Sequence, residues 1–250
     1  MKNGRIAGTG SYVPETIWKN EDLEKMVETS DAWIRERTGI GARHIAGEET
    51  VAQMAVKAAR RALENAGICS TELDLILVGT SSSESIFPNT ACLVQDEIGA
   101  FRAACLDVSA ACTGFLAVYE LGQLYIRSGK AKNVLLIGAD ALSRLVDWHD
   151  RGTCILFGDG GGSHLCVTAE EQETKACEKI HSDGEKGVSL TCERERICRW
   201  TAVPCSSLLY HACRKSSARC SRKPTWRSKR LMRLSFIRQT AASSTAWQND

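Results

Sequence analysis

The sequence predicts an α/β fold with a mixed or parallel sheet covered on both faces across roughly its first 165 residues. Three apolar runs of strand length recur there, at residues 73–80, 133–138 and 153–158. Helix patterns bounded by capping residues and glycines lie between them. Strands buried on both faces lose the in–out alternation of a half-exposed sheet and read as continuous apolar runs. A chain of 250 residues can supply one large or two modest domains.

The elements follow in order. Residues 5–13 read as a strand ended by Pro14. Asn20 is a candidate N-cap for a short helix over 21–28, and Thr29-Ser30-Asp31 for another over 32–38, closed by Gly39. The alanine-rich stretch 51–66 is a helix with Gly67 just past its end. After the strand at 73–80, residues 88–98 form a helix opening on Pro88 and closing at Gly99. The helix over 113–128, stopped by Gly129, is apolar nearly all round, so it is expected to be buried between layers. Residues 133–138 and 153–158 are two further strands. The glycines of Gly158-Asp159-Gly160-Gly161-Gly162 lack the Lys-Ser/Thr of a phosphate loop, and tight-turn backbone is their expected role.

Cys112 stands out within this frame. The run Leu106-Asp107-Val108-Ser109-Ala110-Ala111 delivers its thiol to a turn of small residues immediately before a helix. Unpaired backbone N–H groups and the positive end of the helix dipole converge there and favour thiolate over thiol. A nucleophilic cysteine fits that position, and so does a small buried apolar residue.

Composition narrows the alternatives. No stretch of about 18 apolar residues occurs, which excludes a spanning helix. Residues 1–5 lead into a strand without a signal-peptide core, so cytoplasmic residence is expected. The twelve cysteines have no regular spacing, there is no Cys-x-x-Cys, and no histidine pair stands at ligand spacing. Neither a metal site nor a secreted disulfide framework is expected. Charge divides the chain near residue 195: residues 1–195 carry a formal −9, and residues 196–250 carry +11.

Several ordered motifs resemble the N-terminal half of β-ketoacyl-acyl-carrier-protein synthase III. They are Gly8-Thr9-Gly10-Ser11-Tyr12-Val13-Pro14, Asp31-Ala32-Trp33-Ile34, Arg37-Thr38-Gly39-Ile40, Phe87-Pro88, Ala110-Ala111-Cys112-Thr113-Gly114-Phe115, Asp150-Arg151-Gly152-Thr153 and Phe157-Gly158-Asp159-Gly160. The resemblance runs from about residue 5 to about residue 187. It implies a thiolase-like layered fold of two similar halves and a decarboxylating Claisen condensation. An acyl group, typically acetyl, passes from coenzyme A to a cysteine, and malonyl-acyl-carrier protein then loses carbon dioxide and attacks the thioester. Carried over by motif, Cys112 is the nucleophile, and Trp33, Arg37 and Arg151 contact coenzyme A. Phe87 reaches across a homodimer interface toward the neighbouring acyl pocket. The resemblance implies no cofactor, since the coenzyme A thioester is a substrate, and no nucleic-acid or membrane partner.

The second half departs from the pattern. Residues 1–187 are expected to form the N-terminal half of the fold, and residues 188–250 an out-of-frame tail, which leaves the C-terminal half disrupted. The family's second-half histidine, in a His-Gln-Ala-Asn motif, and its later asparagine have no counterpart here. Read from the third base of each codon, residues 235–240 can encode Val-His-Gln-Ala-Asn. With permitted codon choices the same offset can give family-like strings at 199–202 and 242–250. A one-base slip between about residues 187 and 199 accounts for all three and for the basic tail. The leading reading is therefore an acyltransferase that initiates fatty acid synthesis. Against it stand a polyketide-type condensing enzyme and a non-catalytic or transacylation-only fragment.

Overall fold

The computed structural model describes residues 3–168, together with 190–191 and 199–200. These fall into two compact units. One comprises the chain up to Ile17, His44–Arg144 and the stretch from Gly158; the other comprises Trp18–Arg43 and Leu145–Phe157.

The first unit is a layered α/β structure, as the sequence predicts. Strands β1 (Gly4–Tyr12), β4 (Leu75–Gly79), β5 (Ala104–Val108), β6 (Asn133–Ala141) and β7 (Asp159–Thr168) form one sheet in the order β1-β7-β6-β4-β5. The sheet is mixed: β4 runs parallel to β5 and β6, while β7 is antiparallel to both β6 and β1. Helices α3 (Val51–Ala66) and α4 (Thr90–Ile98) cover one face, and α5 (Gly114–Arg127) packs on the other. The period of two sorts the side chains. Ile76, Val78, Leu135 and Ile137 turn toward α3, while Leu75, Leu77, Val134 and Leu136 turn toward α5. Each fully buried Leu or Ile contributes about 1.5–3 kcal/mol, which is why these strands carry no polar alternation.

The alanines of α3 have a steric cause. A Cβ built on Gly10 of β1 would lie 2.2 Å from the Ala58 carbonyl oxygen, and one on Gly8 would lie 2.4 Å from that of Ala62. Helix backbone therefore rests directly on strand backbone, and only small residues permit the approach. Thr50 and Gln53 close a capping box at the start of this helix, and Gly67 ends it in the left-handed conformation.

The second unit holds α1 (Asn20–Leu23), α2 (Asp31–Thr38) and α6 (Arg151–Cys154) around Leu23, Ile34, Val146, Cys154 and Ile155. Trp18 meets Trp148 edge to face at 4.9 Å. A polar network runs beneath them. Buried Asn20 donates to Asp31 Oδ1 and the Ile40 carbonyl, both at 2.8 Å, and accepts from Arg43 at 2.9 Å. Arg43, only 5% exposed, also donates to the Ile155 and Trp18 carbonyls. Burial pulls its pKa below the usual arginine value. The described residues also form two short ladders: β2 (Ile17–Lys19) with β3 (Ala42–His44), and β8 (Leu190–Thr191) with β9 (Arg199–Trp200).

Five expectations need correction. The helix expected over 21–28 is one turn, α1, and Asn20 lies inside it because its side chain is committed to the buried network. The helix expected from Pro88 begins at Thr90. Pro88 follows a cis peptide bond, and Asn89 provides the cap by accepting from the Cys92 amide at 2.9 Å. The strand expected at 153–158 is instead α6 followed by a turn, because Asp150 accepts from Gly152 N and Thr153 Oγ1 and starts a helical turn. Its apolar residues fill the small core from an irregular segment. The glycines after Asp159 do not form a turn. They run within β7, where a Cβ at Gly161 would press on Met54 of α3 at 3.3 Å. Finally, α5 is not buried all round, for Leu116 and Leu124 are 44% and 51% exposed. The out-of-frame tail expected over residues 188–250 lies outside the described residues, apart from 190–191 and 199–200.

Candidate active site

Cys112 occupies the turn that joins β5 to α5. Ala111 before it has φ +44°, in the left-handed region that a non-glycine residue rarely adopts. A single 3-10 turn over Ala111–Thr113 then passes into the 14-residue helix at Gly114. Thr113 fastens the turn, its amide and its hydroxyl both donating to the Ala110 carbonyl at 3.0 and 2.8 Å. Cys112 is exposed at this point.

Backbone contact sets the height of the turn. A Cβ on Gly79, the last residue of β4, would stand 2.7 Å from the carbonyl carbon and oxygen of Gly114. Strand end and helix start therefore touch through two glycines. Gly138 of β6 makes similar room for Phe115, whose ring meets His164 edge-on at 4.9 Å. The thiol thus sits where the C-terminal ends of β4, β5 and β6 meet the start of a helix, a position used for nucleophiles in α/β folds.

Three aspartates that sequence reasoning missed organise the surrounding segments. Asp107 on β5 accepts from the amides of Thr90 and Ala91, both at 2.8 Å, and so anchors the start of α4. Asp140 on β6 accepts from Ser81 N and Ser82 Oγ at 2.8 Å and from Thr80 Oγ1 at 3.2 Å. Burial nevertheless raises its pKa above the usual carboxylate value. Asp159 on β7 accepts from Ala46 N, Ser143 N and Ser143 Oγ at 2.6, 2.9 and 2.6 Å. The available signal was an acidic residue at the edge of an apolar run, which needs donors if it is to be buried.

Phe87 belongs to the loop that Asp107 helps to hold, three residues before Thr90. It is 82% exposed and its neighbour Ile86 is 61% exposed. That is unusual for an aromatic residue in an ordered, proline-bounded turn.

Trp33, Arg37 and Arg151 meet in the second unit. Arg37, one helical turn on from Trp33, lies over the indole at 4.8 Å, and Arg151 lies over the same ring at 4.8 Å. Ser30 starts this helix by accepting from Trp33 N. Arg151 donates to the Glu28 carbonyl at 3.0 Å. Among the described residues neither guanidinium pairs with a carboxylate, whereas nearby Arg35 is neutralised by Asp31 at 2.8 Å. Two uncompensated cations on one aromatic plane suit a ligand with a flat base and phosphates. An open cavity of about 390 Å³ borders Arg151, with Met26, Val27, Glu28 and His149. Among the described residues no group of His, Cys, Asp and Glu could hold a metal ion, and no helix is long and apolar enough to cross a membrane.

The layered sheet, with a cysteine at the strand-to-helix turn, is a thiolase-like α/β scaffold. Residues 106–184 match the family described as 3-Oxoacyl-[acyl-carrier-protein (ACP)] synthase III. The chain is 47% identical over 193 residues to the β-ketoacyl-[acyl-carrier-protein] synthase III of Clostridium perfringens, covering 77% of this chain and 60% of that one. It is 50% identical over 185 residues to the one from Thioalkalivibrio sulfidiphilus, covering 74% of this chain and 57% of that one. The crystal structure of 3-oxoacyl-[acyl-carrier-protein] synthase III from Aquifex aeolicus superposes with a TM-score of 0.77 at 44% identity. That match covers 79% of this chain and 64% of the other. Over this region the chain belongs to the 3-oxoacyl-[acyl-carrier-protein] synthase III family. It spans about 60% of the length of the curated relatives it matches.

Proposed function

We propose that this chain carries the acyl-loading half of a β-ketoacyl-acyl-carrier-protein synthase III. Such an enzyme condenses an acyl-CoA with malonyl-acyl-carrier protein to give a 3-oxoacyl-acyl-carrier protein. The observation that carries the reading is the Cys112 turn, strained at Ala111 and seated at a helix start by the Gly79–Gly114 contact. The Cys112 sulfur attacks the thioester carbonyl of acetyl-CoA, the C–S bond to coenzyme A breaks, and the thiol proton ends on the released coenzyme A. Trp33, Arg37 and Arg151 bind its adenine and phosphates, supported by the stacked, uncompensated guanidiniums.

Condensation requires donors that stabilise the enolate formed when malonyl loses carbon dioxide. The sequence from residue 188 onward supplies no matching histidine or asparagine motif. Residues 1–187 are thus the working half and 188–250 an out-of-frame tail; the chain as written loads acyl groups and does not condense them. Incubation with radiolabelled acetyl-CoA is expected to label Cys112, and adding malonyl-acyl-carrier protein is expected to release no carbon dioxide. A ketoacyl product would overturn the fragment reading, and absence of label would overturn the loading reading. Resequencing the DNA across codons 185–200 tests the slip directly. A lost or gained base restores a full condensing enzyme that initiates fatty acid synthesis in the cytoplasm.

A homodimer is the expected assembly. The edge strand β5 leaves Leu106 exposed, and the Asp107 anchor keeps the projecting Phe87 loop beside it. A polyketide-type role is the second reading. The priming β-ketosynthase from the R1128 polyketide biosynthetic pathway is similar, with a TM-score of 0.66 at 34% identity over 68% of this chain and 51% of that one. Competition among acyl-CoA starters for Cys112 separates the two.

A further inference from the structure

Helix α4 runs back along β5, on the face of the sheet away from α5, and hydrogen bonds fix the alignment at both ends. Near the helix start, Thr90 N and Ala91 N donate to Asp107 at 2.8 Å; one turn on, Gln95 Nε2 donates to the Ala103 carbonyl at 2.7 Å. Cys92 lies between the two helix contacts, and Cys105 lies midway between the two strand contacts. With a period of two along β5, Cys105 shares the face of Asp107. It packs against the core beneath α3 and α4, its thiol donates to the Ala103 carbonyl at 3.8 Å, and the Cys92 thiol is one of the groups that disfavour its ionisation. Both thiols are partly exposed.

We propose that Cys92 and Cys105 form a redox-active dithiol that closes to a disulfide when a peroxide reaches it, fastening α4 to β5 just ahead of the Cys112 turn. Burial is the main cause that pushes the Cys105 thiol up to about 12, with Cys92 and Asp107 adding to it. Cys105 is therefore the poorer first nucleophile, and Cys92 is the attacking group. The Cys92 sulfur attacks one peroxide oxygen, the O–O bond breaks, and water leaves to give a sulfenic acid. The Cys105 sulfur then attacks the Cys92 sulfur, the S–O bond breaks, and the departing hydroxide takes the Cys105 proton as a second water. Two thiols and one hydrogen peroxide become one disulfide and two waters. Oxidation is thereby directed to the edge strand beneath α4, ahead of the Ala111–Thr113 turn that holds Cys112.

Tryptic cleavage isolates the pair. Residues 62–102 hold Cys69 and Cys92, and residues 103–127 hold Cys105 and Cys112. After treatment of the full chain with hydrogen peroxide and capping of remaining thiols, a linked 62–102/103–127 species is expected. Its mass should be about 2 Da below the sum of the reduced peptides, and dithiothreitol should remove it. Fragmentation of the linked species is expected to place the bond between Cys92 and Cys105. The species is expected to vanish in Cys92→Ser and Cys105→Ser and to persist in Cys69→Ser and Cys112→Ser. Absence of the species, or a bond mapped to Cys69 or Cys112, overturns the proposal. If a serine variant does not fold, the fragmentation map of the unaltered chain decides the matter alone.

Discussion

The two units of this chain hold their candidate functional side chains by different physical means. In the sheet unit backbone rests against backbone, Gly79 on Gly114 at the Cys112 turn and Gly10 on α3, with buried aliphatic layers on both sides. In the other unit Trp33 and its two arginines stand on a small apolar cluster tied by one polar network through Asn20, Asp31 and Arg43. Steric placement is stiff and leaves little room for substitution. Placement by hydrogen bonds depends on each partner remaining satisfied, and a buried guanidinium makes each loss expensive.

Substitutions in order of effect sharpen or break that contrast. Cys112→Ala is expected to lower acetyl loading by at least about 10³-fold while leaving the thermal melt unchanged, measured by radiolabel transfer and calorimetry. Equal loss of stability would mean that the turn, and not the thiol, was the thing removed. Gly10→Ala is expected to cost about 3 kcal/mol, read in urea denaturation, because the added Cβ meets helix backbone that cannot rotate aside. A neutral result would show that α3 moves freely over β1. In the other unit Asn20→Ala leaves the Ile40 carbonyl, Asp31 and Arg43 each short of a partner. A loss of about 2 kcal/mol is expected, with hydrogen exchange accelerating around 18–43 first. Trp33→Ala is expected to weaken coenzyme A binding about tenfold by calorimetric titration, and to leave loading from a short synthetic thioester unchanged.

The smallest effect is a pH slope at His164. Among the described residues its Nδ1 is buried without a partner, and burial lowers its folded pKa below 6.5. Protons then bind the unfolded chain more readily than the folded one. Stability is intact above pH 6.5 and declines as pH falls through 6.5 toward the lower folded value. His164→Leu is expected to flatten thermal melts between pH 5 and 7, and an unchanged slope would assign the effect to another group.

Much of the sheet unit was legible because its signals are local. Apolar runs gave β4 and β6, and capping residues gave α3 within a residue at each end. The segment 153–158 was misread because a buried irregular stretch and a buried strand are equally apolar; only the Asp150 cap distinguishes them. Asp107, Asp140 and Asp159 escaped notice because each bonds to donors far along the chain, 16 to 113 residues away.

The sequence by itself determined the α/β class, the strand-to-helix turn at Cys112 and the ordered motifs shared with the synthase III family, since each is written in adjacent residues. Tertiary structure alone decided that Arg37 and Arg151 share one indole, that two glycines on separate elements set the height of the turn, and that the α4–β5 hydrogen bonds set Cys92 alongside Cys105. Those pairings join residues whose proximity depends on helix and strand register. Register is fixed by packing and by no single stretch of sequence.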